Sequence, residues 1–104
     1  MSSELKNLSS YDKDDVPSGE KYSFGIVVAD WNSDITYKLL DGAVKTLEEN
    51  GTDEKDILIE HVPGSFELPF AAQTMSSRKK FDAIICLGCI IQGDTRHFEF
   101  IASA

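Results

Sequence analysis

The sequence predicts an α/β domain built on a parallel sheet. Three short apolar stretches rich in β-branched residues alternate with stretches of helical periodicity, which gives the order βαβαβα. The connections between them are short, and this favours right-handed crossovers with helices on both faces of the sheet. Residues 1–20 are polar and rich in Ser and Asp, so we expect a flexible N-terminal arm there and the domain over residues 21–104.

The first strand is predicted over Tyr22–Asp30, because its near-continuous apolar run is typical of a strand buried on both faces. A helix follows over Ile35–Asn50, with Ser33 or Asp34 as its N-terminal cap and Gly51 just after its end. The inner face of this helix is predicted from apolar residues at helical spacing, namely Leu39, Leu40, Ala43, Val44 and Leu47.

The second strand, Asp56–Val62, alternates in polarity, which favours a position at the edge of the sheet. The next helix is predicted to start near Phe66 or Glu67, with an inner face of small and apolar residues. The third strand is predicted over Phe81–Ile91, and a third helix begins near Arg96.

The end of the sequence leads to a separate expectation. The third predicted helix reaches the last residue after about two turns, and no capping residue follows it. Three strands also make only a small sheet, which is hard to cover on both faces. We therefore expect the domain to be incomplete at its C-terminus in this chain. Expressed alone, residues 1–104 are expected to fold poorly and to be inactive.

The composition argues against several classes of partner. The chain has 18 Asp and Glu against 10 Lys and Arg, a formal net charge of −8. Nucleic acids and anionic membrane surfaces need clustered Lys and Arg, so neither is an expected partner. No apolar run approaches the ~20 residues of a membrane span, and the first residues lack the apolar core of a secretory signal. A cytoplasmic location is the prediction.

Two cysteines, Cys86 and Cys89, are spaced C-x-x-C in the third predicted strand. At that spacing two strand residues lie roughly 10 Å apart on opposite faces, whereas disulfide Cα atoms sit about 4.4–6.8 Å apart. We expect buried structural cysteines, not a redox or metal pair. His61, beside Glu60 in a strand, is also interpreted as structural, and no metal site is expected.

Ligands of open parallel sheets bind beyond the carboxyl ends of the strands. Trp31 follows the first strand, where it could stack on a flat heterocycle or cover the end of the core. Glu67 follows the second strand, where it could stabilise a helix N-terminus or accept hydrogen bonds from ligand hydroxyls. Both alternatives stay open for each residue.

Residues 88–95, after the third strand, nearly match the phosphate-binding pattern G-x-x-x-x-G-K-[ST]. Asp94 replaces the lysine and would repel a nucleotide, but the helix start with the Thr95 hydroxyl fits a single phosphate. His97 lies in the first turn of that helix, whose positive end favours a neutral imidazole that can take and return a proton. A surface or capping histidine is the alternative.

At these three segments the sequence resembles the lumazine synthase family. The matching stretches are WNSDITYKLLDGA (31–43), VPGSFELPFAA (62–72) and FDAIICLGCIIQGDTRHFEF (81–100), in the same order and spacing across residues 22–104. The resemblance implies a flavodoxin-like three-layer α/β/α fold, here incomplete at the C-terminus. It also implies a transferase of riboflavin biosynthesis that condenses 5-amino-6-(D-ribitylamino)uracil with 3,4-dihydroxy-2-butanone 4-phosphate.

The family uses no cofactor or metal and forms homo-oligomers, as pentamers or their multiples, with active sites between neighbouring subunits. By resemblance His97 is the proton-transfer residue. The implied binding residues are Trp31 for the pyrimidine ring, Ser65, Phe66 and Glu67 for the ribityl chain, Cys89, Ile90 and Ile91 for the pyrimidine pocket, and Asp94 and Thr95 for the phosphate. Gln92 stands where many relatives have Arg, which removes a positive charge beside the phosphate turn.

Two other classes of protein fit the sequence less well. A non-catalytic relative that binds flavin or ribityl ligands, or only forms shells, could keep Trp31 while losing Thr95 and His97, so the presence of both favours an enzyme. A flavodoxin-type FMN carrier needs a Ser/Thr-rich phosphate loop after the first strand, and residues 31–34 are a poor one.

Overall fold

The computed structural model describes residues 10–93 and 96–103, in which three parallel strands form one sheet with the order β2-β1-β3. The strands are β1 (Phe24–Ala29), β2 (Ile57–Val62) and β3 (Ala83–Leu87), and the helices are α1 (Ser33–Glu49), α2 (Leu68–Arg78) and α3 (His97–Ser103). The predicted βαβαβα order and the parallel sheet are confirmed. Asp94, Thr95 and the first nine residues of the predicted arm lie outside the described residues.

Strand β1 is the centre of the core. It pairs with β2 on one side and with β3 on the other, and residues 26–29 are fully buried. Consecutive apolar side chains of a strand point to opposite faces, so their joint burial shows that both faces are covered. The prediction of a doubly buried first strand is confirmed, and β2 lies at an edge of the sheet as predicted.

The strand order fixes where a site can form. The first crossover runs from β1 outward to β2, and the second returns past β1 to β3. With right-handed crossovers this change of direction puts α1 and α2 on opposite faces of the sheet. The carboxyl ends of all three strands meet at one edge, where such sheets bind ligands.

The start of α1 differs from the prediction. The helix begins at Ser33, and the cap is Asn32, not Ser33 or Asp34. Asn32 has the left-handed φ of 58°, which asparagine tolerates better than most residues, and its carbonyl accepts the amide of Thr36. Thr36 is fully buried, whereas Leu39 of the predicted inner face is 44% exposed. Thr36 tolerates burial because its hydroxyl also donates to the Asn32 carbonyl.

The end of α1 agrees with the prediction. Gly51 follows the helix with φ 103°, and its amide donates to the carbonyl of Glu48. The end of the N-terminal segment lies against this turn. The Tyr11 hydroxyl donates to the Glu49 carboxylate at 3.3 Å, and the amide of Gly19 donates to the Asn50 carbonyl at 2.8 Å. The boundary between arm and domain stays a prediction.

Strand β3 is shorter than predicted, because it ends at Leu87 and not at Ile91. Its pairing with β1 stops at Val28, whereas the pairing of β1 with β2 continues to Ala29 and is followed by the bond from the Asp30 amide to the Val62 carbonyl. Cys86 is exposed, so the expectation of a buried cysteine was wrong there, and Cys89 is half-buried beyond the strand. Both thiols are free, and partial desolvation raises the pKa of Cys86, which makes it less reactive.

Replacing Gly25 by alanine is expected to destabilise the fold. An added Cβ would lie 2.3 Å from Sδ of Met75, which is itself fully buried, so α2 must shift or Met75 must repack. Overpacking of this kind costs typically about 1–3 kcal/mol in the free energy of unfolding, measurable by urea denaturation.

The matched control is Gly42→Ala in α1, where an added Cβ meets nothing within 4 Å. Glycine inside a helix is less favourable than alanine, so this variant is expected to gain about 0.5–1 kcal/mol. Equal effects of the two substitutions would contradict this packing of α2 on β1.

Candidate active site at the strand ends

A cavity of about 340 Å³ lies at the carboxyl ends of the three strands. Seven of the ten residues predicted for the site line it: Trp31, Ser65, Phe66, Glu67, Cys89, Ile90 and His97. Ile91 is 48% exposed and is not part of this lining, and Asp94 and Thr95 lie outside the described residues. Segments that are far apart in the sequence therefore contribute to one concave surface.

Trp31 forms one wall and is held by its backbone. Its amide donates to the Pro63 carbonyl at 3.0 Å, so the turn after β1 is bonded to the turn after β2. The side chain is 48% exposed, half against the protein and half open to the cavity and solvent. An indole in this position offers a flat apolar surface to a ring.

The floor of the cavity connects the ends of β2 and β3. The Ser65 hydroxyl donates to the Cys89 carbonyl at 3.2 Å. Gly88 makes the close approach possible, because an added Cβ there would lie 2.6 Å from the Ser65 hydroxyl and 2.8 Å from Cδ1 of Leu68. The bond to Cys89 leaves the Ser65 oxygen able to accept from a ligand.

Glu67 closes the turn that opens α2. Its Oε1 accepts the amide of Gly64 at 2.9 Å, across a single 3₁₀ turn over Ser65–Glu67. One of the two open interpretations, a carboxylate that stabilises a helix start, is therefore observed. A ribityl-binding role stays a prediction for Glu67 and for Phe66, whose side chain is 62% exposed.

His97 is the first residue of α3 and lines the same cavity. Next to it, Arg96 pairs with Glu99 at 3.2 Å across the first turn. A second residue of this helix, Ile101, adds apolar surface on the same side. The arrangement presents an imidazole and an aromatic wall, Trp31, to one space, which suits proton transfer to a bound ring system.

Asn32, between Trp31 and α1, also contacts the site and was not among the predicted site residues. Its Nδ2 donates to Sγ of Cys89 at 3.9 Å, a weak bond that joins the end of β1 to the end of β3. The only signal was an asparagine between a strand and a helix, a position that favours a left-handed backbone. Pro63 and Gly64, which precede the predicted site residue Ser65, also line the cavity.

Among residues 10–93 and 96–103, no group of three His, Cys, Asp or Glu side chains is arranged to hold a metal ion. The same part of the chain contains no helix long and apolar enough to cross a bilayer.

Beside the cavity, Asp30, Tyr37 and His61 form a polar cluster. The Tyr37 hydroxyl donates to Oδ1 of Asp30 at 2.7 Å, and Nδ1 of His61 lies 2.7 Å from the same oxygen. The hydrogen bond from His61, and then that from Tyr37, lowers the pKa of Asp30, while the bond to Asp30 raises the pKa of Tyr37. His61, expected to be structural, joins β2 to the end of β1 through this cluster.

The cluster predicts a dependence of stability on pH. Asp30 has a folded pKa below its usual 3.8, so its contribution is full above pH 3.8 and is lost as the pH falls through the lower folded value. Tyr37 has a folded pKa above 10.0, so its contribution is full below pH 10.0 and is lost as the pH rises through the higher folded value. In urea denaturation the unfolding free energy of wild type should exceed that of Asp30→Ala, which removes both bonds, at pH 6, and the difference should shrink below pH 4. A constant difference across this range would contradict the assignment.

The fold and the cavity together define an α/β protein with a candidate ligand-binding cavity at the carboxyl ends of a parallel sheet. Residues 21–104 match the family model described as 6,7-dimethyl-8-ribityllumazine synthase. The chain belongs to this family.

Curated relatives with the same name agree with the family model. The chain is 48% identical to the 6,7-dimethyl-8-ribityllumazine synthase of Parabacteroides distasonis over 99% of its own length and 64% of the relative. It is 51% identical to the enzyme of the same name from Cytophaga hutchinsonii, over 100% of this chain and 65% of the relative. It is 47% identical to that from Phocaeicola vulgatus, over 99% of this chain and 61% of the relative. The chain thus spans slightly less than two thirds of the length of these relatives.

Proposed function

We propose that the protein acts as a 6,7-dimethyl-8-ribityllumazine synthase, condensing 5-amino-6-(D-ribitylamino)uracil with 3,4-dihydroxy-2-butanone 4-phosphate. The observation that carries the proposal is the convergence of the Trp31, 64–67 and 89–90 segments with His97 on one cavity. The name shared by the three relatives supports the choice of reaction.

Each part of the cavity then has a task. Trp31 stacks on the pyrimidine ring, the segment 65–67 binds the ribityl hydroxyls, and Cys89 and Ile90 line the ring pocket. A pocket role for Ile91, which lies outside this lining, rests on the family resemblance alone. Asp94 and Thr95, which precede α3 in the sequence, bind the phosphate of the second substrate, a role proposed from the sequence alone. Gln92, which is exposed and precedes these two residues in the sequence, brings no positive charge to the phosphate.

The chemistry needs no protein nucleophile. The amine of the first substrate attacks the ketone of the second, and loss of water gives an imine. Phosphate then leaves, and the remaining amine closes the ring with loss of a second water. Holding both substrates together contributes several kcal/mol, on the order of 7–11 in the best intramolecular cases. Proton transfer through His97 adds about 10²–10⁴-fold, and no cofactor takes part in the proposed reaction.

A homo-oligomer belongs to the same proposal. Beside the cavity lies an open apolar surface that includes Phe66 and Phe70, 62% and 74% exposed, and Phe100 of α3 is 62% exposed. Large exposed aromatic groups of this kind are typical of interfaces. A second copy covering them would complete the cavity, and a pentamer or a multiple of it is the assembly implied by the family. The cytoplasmic location stays a prediction.

The test is to mix both substrates with the full-length protein and follow the fluorescence of the lumazine product. We expect turnover well above the protein-free rate, and none when either substrate is omitted. Product binding should also quench the emission of Trp31, with a Trp31→Phe variant as the blank. No lumazine above the protein-free rate, with folded protein, would overturn the proposal and favour a non-catalytic relative.

A further inference from the structure

Asp30 accepts two hydrogen bonds on one oxygen, from two different elements. The Tyr37 hydroxyl comes from the second turn of α1, and Nδ1 of His61 comes from β2. An ionised carboxylate only accepts, so Nδ1 of His61 carries the proton in this contact. The two rings also meet edge to face, with centroids 5.7 Å apart and an angle of 86° between the planes.

This cluster lies next to the cavity without being part of it. Asp30 directly precedes Trp31, and its amide donates to the Val62 carbonyl at 2.8 Å, one residue before Pro63, which accepts from Trp31. None of the three cluster side chains lines the cavity. This position favours an indirect role, through the residues to which the cluster is bonded.

The link between β1 and α1 is very short. Only Asp30, Trp31 and Asn32 separate the end of the strand from the start of the helix. The direction of the Trp31 side chain therefore depends on how the two ends of this link are held. Asp30 holds the strand end to both α1 and β2, and Asn32 holds the helix end.

We propose that Asp30, through its bonds to Tyr37 and His61, is a positioning residue that holds Trp31 against the cavity and so sets the affinity for the ring-bearing substrate. The inference rests on the proposed function for the identity of that substrate. The cluster itself is half-exposed, with both partners of the Asp30–His61 contact 46% exposed, so its contribution to overall stability is small. Its effect is on geometry: loss of the bonds widens the range of orientations open to Trp31.

The experiment compares four variants of the full-length protein. Asp30→Ala removes both hydrogen bonds to the carboxylate, and Tyr37→Phe removes one of the two donors. Asp30→Asn keeps an oxygen that can accept from the same donors, and Asp41→Ala is a control that removes one exposed carboxylate farther along α1. The readouts are kcat, KM for the ribitylaminouracil, and acrylamide quenching of Trp31 without ligand. The three substituted positions are all exposed, so the four variants are expected to fold.

With each lost bond equivalent to a factor of about 2–10 in binding, Asp30→Ala is expected to raise KM about tenfold and Tyr37→Phe about threefold. The value of kcat should stay within about twofold, as expected for a loss of uniform binding. Acrylamide quenching of Trp31 fluorescence should be strongest in Asp30→Ala and intermediate in Tyr37→Phe. In Asp30→Asn and Asp41→Ala both KM and quenching should stay near the wild-type values.

The proposal is overturned if Asp30→Ala leaves both KM and the quenching of Trp31 unchanged. The same holds if this variant lowers the melting temperature without changing either readout. The quenching measurement needs no substrate. If wild type shows no turnover, the proposed function fails, and quenching still decides whether Asp30 positions Trp31.

Discussion

Replacing His97 by alanine in the full-length protein is expected to lower kcat about 10²-fold or more, because positioned proton transfer contributes about 10²–10⁴-fold. KM for either substrate should change little, since the aromatic and ribityl-binding walls of the cavity remain. Steady-state fluorescence of the lumazine product measures both constants. Added imidazole should restore part of the lost rate.

The control is Ser103→Ala at the other end of α3, which does not line the cavity and is expected to keep wild-type kcat. If His97→Ala retains the wild-type rate within a few-fold, the proton-transfer role is wrong. The substrates' own groups or a solvent proton would then carry the transfer.

Replacing Gly88 by alanine is expected to damage both the fold and the cavity. The new Cβ would lie 2.6 Å from the Ser65 hydroxyl and 2.8 Å from Leu68, and neither short contact can persist. Ser65 must move away from the Cys89 carbonyl, which separates the ends of β2 and β3. We expect a loss of about 1–3 kcal/mol in unfolding free energy and a rise in KM of about tenfold, an equivalent of about 1.4 kcal/mol.

A second substitution separates the clash from other effects of the new methyl group. Ser65→Gly removes the Ser65 atoms that the Cβ would meet, so the double variant Gly88→Ala/Ser65→Gly should recover stability relative to Gly88→Ala alone. If the losses of unfolding free energy measured for the two single variants simply add in the double variant, the contact between Gly88 and Ser65 is contradicted.

The fold was largely predictable because its strongest signals are local. The apolar run of β1 predicted burial on both faces, and Gly51 marked the end of α1 with the positive φ that it adopts. The end of β3 was not predictable, because the apolar run continues to Ile91 while pairing with β1 stops at Val28. Exposure of Cys86 likewise depends on which elements cover the strand, and the local pattern does not contain that information.

The site was predictable in its location and less so in its bonds. The rule that ligands bind at the carboxyl ends of parallel strands brought Trp31, Glu67 and His97 to one edge, where all three line the cavity. The bond from Ser65 to the Cys89 carbonyl depends on the approach of two turns, which only the folded chain defines. The role of Asn32 depends on its left-handed backbone, a property of the turn as a whole.

The most direct test of the central claim is a crystal structure of the full-length protein with bound 6,7-dimethyl-8-ribityllumazine. We predict that the pyrimidine ring lies flat against the Trp31 indole, that the ribityl chain runs along residues 64–67, and that His97 faces the ring system. A product molecule bound elsewhere, or bound in this cavity with Trp31 turned away from the ring, would contradict the account.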